Sequence, residues 1–190
     1  MSELDELKTL WEEYNFNRLE PIDFDTFQEL VWFYPILAVL SADNNIDGAE
    51  RNFYLEQLEK KAHQEEHLQI SVLKREAKYI AENIRLLENL FISALKILVK
   101  SKGWQNALMD NMLNAAKVSY EPWQTKTLYG NSENHLKFSK KVLDLVLEDV
   151  LDKKERVSEE ELAVIVNILQ KTEALNERNQ MILEVFENSP

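Results

Sequence analysis

Asp43, Asp47 and Glu50 stand within eight residues of one another, in the stretch Ala42-Asp43-Asn44-Asn45-Ile46-Asp47-Gly48-Ala49-Glu50. Three carboxylates brought that close repel unless solvent, a cationic partner or a divalent cation such as Mg²⁺, Ca²⁺, Mn²⁺ or Zn²⁺ offsets them. As a calcium loop the stretch begins well. Asp43, Asn45, Asp47 and Gly48 fill positions 1, 3, 5 and 6 of the EF-hand pattern, where small oxygen ligands and a sharp turn are needed. It then fails, because Tyr54 stands where a bidentate Glu should close the cage and Glu50 where an apolar residue is usual. An ordinary EF-hand is excluded. A weaker divalent site at Asp43, Asp47 and Glu50 stays open, beside a plainer reading in which Asp47 and Glu50 form a helix-starting capping box and Asp43 ends the preceding helix.

The same corner resembles the TerB-like family associated with tellurite resistance. In that family the turn reads Ala-Asp-Gly, with an apolar residue two positions on and a Glu four beyond it. Ala42, Asp43, Asn44, Ile46 and Glu50 occupy those places here. Asn replaces the Gly at a mild physical cost, since Asn tolerates the left-handed conformation of a helix end. The resemblance covers about residues 30–62. It implies an all-helical fold, divalent-metal binding at the acidic residues matching Asp43 and Glu50, and a role as an interaction or sensing module rather than an enzyme.

Two further constellations carry chemistry on paper. His63-Gln64-Glu65-Glu66-His67 has the H-x-x-E-H spacing of inverted zinc peptidases, in which histidines four apart share a helix face. No third ligand can be assigned, and two exposed histidines between helices is the better reading. Trp104, Tyr120, Trp123 and Tyr129 interleave with Lys102, Lys117 and Lys126, a composition that can stack single-stranded nucleic acid or simply pack a loop onto a bundle.

Composition narrows the choice. The 190 residues carry a net charge of −12 and no cysteine, which excludes disulfides, thiolate metal sites and a cysteine nucleophile. Residues 96–141 hold eight lysines against three carboxylates, so this stretch is +5 and the remainder −17. Such a surface argues against direct nucleic-acid binding by the whole molecule, though it leaves room for a local basic patch. The acidic start has no export-signal pattern, and no apolar run approaches a membrane span, so a cytoplasmic protein without membrane insertion is expected. Oligomeric state is not readable. Two functions follow: a non-catalytic module that docks a protein partner through an acidic surface, or an acidic nucleic-acid mimic that blocks a nucleic-acid-binding protein.

The elements that must position these residues are helical. Only 3 Gly and 4 Pro interrupt a chain that is 45% hydrophobic, which predicts one all-α bundle of about seven to eight helices. Leu4, Leu7, Leu10, Trp11 and Tyr14 predict a first helix over Glu3–Leu19. Phe27–Leu40 should be helical, with a kink or break where Pro35 removes a backbone donor. Leu73, Ala77, Ile80, Ile84, Leu87, Phe91, Ala94 and Leu98 form one stripe, predicting a central helix of about 30 residues that Gly103 ends. A short helix over 104–118, a loop at 119–134 between subregions 1–118 and 135–190, and a helix from His135 to Leu151 complete the middle.

Val157-Ser158-x-x-Glu161-Leu162 is a second capping box, with its apolar staple, and a last helix carries Met181, Ile182, Val185 and Phe186. The two corners, Ile46-Asp47-x-x-Glu50 and Val157-Ser158-x-x-Glu161, match in Phe53 and Val164 and again in Leu58 and Leu169. They read either as an internal duplication or as convergent capping.

Overall fold

The computed structural model describes residues 2–16, 18–43, 46, 48–118 and 157–187. Those residues form eight helices and no strand: α1 (Glu3–Asn15), α2 (Phe24–Leu40), α3 (Gly48–Gln64), α4 (Ile70–Glu82), α5 (Ile84–Lys102), α6 (Gln105–Ala116), α7 (Glu159–Lys171) and α8 (Glu177–Glu187). The expected all-α bundle is what the chain builds. The expected loop at 119–134 and helix at 135–151 lie outside the described residues.

The centre of the bundle is α2, not the long stripe. Of its 17 residues, 11 are buried, from Thr26 to Leu40, and α1, α3, α4, α5, α6 and α7 all pack against it. A helix apolar on every side has no solvent face to give it an amphipathic pattern, so its lack of pattern is itself the mark of a central position. Phe27, Leu30 and Leu40 are fully buried in a core shared with Leu73 and Ile80 of α4, Phe91 and Leu95 of α5, Leu108 and Met112 of α6 and Leu169 of α7. Residues before and after the undescribed middle thus contribute to one core.

α2 also runs through Pro35 without a break. The lost backbone bond is a local cost, and burial of Val31, Tyr34, Ile36, Leu37 and Val39 on either side holds the segment helical.

The stripe from Leu73 to Leu98 is two helices rather than one of about 30 residues. Asn83 divides it, with φ −122° and ψ 21°. Its side-chain amide donates to the Tyr79 carbonyl at 2.9 Å, while its own carbonyl accepts the first bonds of α5 from Leu86 and Leu87 at 2.9 and 3.0 Å. Asn competes for backbone groups in this way, which is why it favours helix ends over interiors. The stripe keeps facing inward across the break, since Ile84 and Leu87 still pack on the core. Gly103, at φ +67°, ends α5 as expected.

The first helix is shorter than its apolar spacing predicts, ending at Asn15 rather than Leu19. Asn15 exchanges two bonds with Ile22, its amide donating to the Ile22 carbonyl and its oxygen accepting from the Ile22 amide, each at 2.9 Å. The Trp11 indole donates to the same carbonyl at 2.9 Å. Those three bonds fold the chain back toward α2. No described helix is long and apolar enough to cross a membrane.

Candidate functional site

The acidic corner joins α2 to α3. Asp43 sits exposed on the turn that follows α2, whereas Glu50 is 5% exposed at the third position of α3. Asp47 lies outside the described residues. Asp43 and Glu50 therefore flank the turn in different environments, and both already take part in contacts with neighbouring groups. Among the described residues no three His, Asp or Glu side chains are grouped to hold a metal ion.

The second corner is built on the capping plan. Ser158 Oγ accepts from the Glu161 amide at 3.2 Å, and Glu161 Oε2 accepts from the Ser158 amide at 2.8 Å. Glu161 is 4% exposed and, like Glu50, third in its helix. Leu58 and Leu169, eight positions beyond those glutamates, are both fully buried. The two corners thus share a buried glutamate and a buried leucine at one offset.

The histidine pair does not form a chelating face. α3 ends at Gln64, so His63 stands on the helix and His67 in the turn beyond it, where its ring lies 3.7 Å from Glu65. Of the aromatic and lysine cluster, Trp104 packs onto Trp32 with ring centroids 4.6 Å apart, and Lys102 lies over its ring at 4.4 Å. That is a loop-to-bundle contact. Tyr120, Trp123, Lys126 and Tyr129 lie outside the described residues.

A corner that pattern reasoning missed lies between α1 and α2. Glu76 of α4 is a fully buried carboxylate. The Tyr14 hydroxyl donates to its Oε2 at 2.6 Å, Arg18 pairs with the same oxygen, and Arg75 Nε donates to Oε1 at 2.9 Å. The Arg18 guanidinium lies over the Tyr14 and Tyr79 rings, 4.6 and 4.2 Å from their centroids. Burial, and then the bond to Glu76, push the Tyr14 phenol far above its ordinary value, so this hydroxyl stays a donor. With both oxygens occupied and no solvent exposure, Glu76 anchors Arg18.

That anchoring shapes the surface. The connection from Phe16 to Ile22 is tied by Asn15 to Ile22, by Arg18 to Glu76 and by Glu20 to Arg75. On this tied loop Phe16 is 76% exposed and Leu19 fully exposed. A shallow groove lined by Trp11, Glu12, Asn15, Phe16, Pro21 and Asp23 adjoins them. Glu12, Glu13, Glu20, Asp23 and Asp25, all exposed, lie within six positions of Phe16 or Leu19 in the chain. The signal for it was local: Phe16 and Leu19 are apolar residues that follow the last buried position of α1, next to Pro21.

Comparison of the chain with protein-family models, with curated proteins and with solved structures found no match in any of the three.

Proposed function

We propose that the chain is a non-catalytic helical module that docks a protein partner through its acidic surface, at the corner between α1 and α2. The observation that carries this reading is the exposure of Phe16 and Leu19 on a loop held in place from three sides. Large apolar side chains offered to solvent on a pinned support bind at a small ordering cost, and exposed carboxylates close by in the chain favour a partner with basic residues beside an apolar patch. The TerB-like resemblance of the α2–α3 corner supports the same class of role. A divalent cation at Asp43, Asp47 and Glu50 would tune the acidic surface by offsetting charge there.

The docking part is tested by capture from the native lysate, comparing the unaltered chain with the double variant Phe16→Ser, Leu19→Ser. The expected result is a partner retained by the first, lost by the second and weakened by salt, with both chains melting alike. Equal capture by the two would remove this corner from the interface. The cation part is tested separately. Mg²⁺, Ca²⁺, Mn²⁺ or Zn²⁺ should raise the melting temperature, and Asp43→Asn with Glu50→Gln should abolish the rise. No response to any of the four ions would end the cation part and leave docking standing.

A further inference from the structure

Between α3 and α4 lies a cavity of about 460 Å³, whose lining shares no residue with the groove at the α1–α2 corner. Its size falls in the range of small-molecule sites. Leu37, Ile46, Leu55, Ala77 and Ala81 give it apolar walls. Tyr54 also lines it, buried, with a hydroxyl that has no hydrogen-bond partner among the described residues.

The mouth is cationic on a strongly anionic molecule. Arg51, Lys74 and Lys78 line the cavity together with Glu82. Lys74 is held by Glu59 at 2.5 Å, and Lys78 lies 3.9 Å from Glu82. Arg51 is exposed and makes no ion pair among the described residues. A guanidinium without a partner beside apolar walls is the pairing that recognises a carboxylate on an apolar body. The nearby Glu82, together with the net charge of −12, favours a singly charged anion over a phosphate carrying two charges.

We propose that the α3–α4 cavity binds a small amphipathic carboxylate, its apolar chain among Leu55, Ala77 and Ala81 and its anionic end against Arg51 and Lys78. The site is independent of partner docking at the α1–α2 corner.

The test is a titration of the full chain with decanoate, kept below its micellar range, followed by amide NMR, with decanol and decylammonium as neutral and cationic controls. The expected result is saturable binding with shifts clustered on residues of the cavity wall, decanoate binding tightest and decylammonium weakest. Arg51→Gln should weaken decanoate by about tenfold, the scale of one lost charge-assisted contact, and leave decanol unchanged. Ala81→Leu should fill the space and abolish binding of both. Absence of saturation, or shifts scattered away from the cavity, would overturn the site. Equal affinity for decanoate and decanol, or an unaffected Arg51→Gln variant, would overturn the carboxylate assignment. Should Ala81→Leu fail to fold, the shift map of the unaltered chain still decides the location.

Discussion

The Tyr14 hydroxyl lies 2.6 Å from Glu76 Oε2, in the buried interior and 62 positions apart in the chain. This bond couples α1 to α4 and, through Arg18 on the same oxygen, fixes the loop that exposes Phe16 and Leu19. A hydrogen bond to a charged group contributes about 1.5–3 kcal/mol, so Tyr14→Phe should destabilise the fold by about that much in urea denaturation. Glu76→Ala should cost more, about 3–5 kcal/mol, because it leaves the largely buried Arg18 charge without its counter-ion. A Glu76→Ala loss no larger than that of Tyr14→Phe would show that the arginines find water instead.

Asp23 sets an acid limit on the same corner. Its Oδ1 accepts from the Thr26 amide at 2.7 Å and its Oδ2 from the Thr26 hydroxyl at 2.8 Å, capping α2. Partial burial pushes the carboxyl up, but the two Thr26 bonds, together with the backbone amides of Asp23 and Asp25, outweigh it and hold it below the usual carboxylate range. A folded-state value below the unfolded one means that the stabilisation is present above the unfolded pKa and is lost as pH falls through the folded one, below about pH 4. Asp23→Asn keeps a capping oxygen, so its melting temperature should fall less steeply over that window than the unaltered chain's. Asp23→Ala should lose about 1 kcal/mol at neutral pH.

What the sequence makes legible follows the range of the interaction. The cap at Ser158 and the stop at Gly103 are local bonds, formed between residues three or four apart, and the residue types announce them. The stripe from Leu73 to Leu98 names the buried face correctly, yet its regularity hides the Asn83 break, because an amide that turns to its own backbone leaves the apolar spacing untouched. Likewise Asn15 ends α1 through Ile22, seven residues on, while the apolar run continues past it. Glu76 could not be singled out at all, since it resembles any solvated helix glutamate until Tyr14 and Arg18 are folded against it. At the acidic corner the sequence groups Asp43 with Glu50, but not that one is exposed and the other buried.

Gly103 offers a clean measure of backbone cost. Its φ of +67° belongs to the left-handed region, and an added Cβ would meet nothing within 4 Å. Gly103→Ala should therefore destabilise by about 1–2 kcal/mol through the backbone alone, and Gly103→Asn by less. Melting curves of the three chains should rank Gly, Asn, Ala. Equal losses for Asn and Ala would point to a side-chain clash instead.

Tyr54 reverses the sign seen at Tyr14. Its ring packs edge-on against Phe33 with centroids 6.4 Å apart, and its hydroxyl is buried with no partner among the described residues. Burial pushes this phenol upward, as at Tyr14, but here no acceptor offsets the lost hydration. An unsatisfied buried polar group costs about 1–3 kcal/mol, so Tyr54→Phe should leave stability unchanged or raise it, whereas Tyr14→Phe lowers it. The same atom is removed in both variants, from two buried aromatic residues of one core, and only the acceptor differs. Paired urea titrations at one temperature measure that difference directly. A Tyr54→Phe loss as large as that of Tyr14→Phe would mean that the hydroxyl has a bound partner in solution, and a bound ligand in the α3–α4 cavity would then be the first place to look.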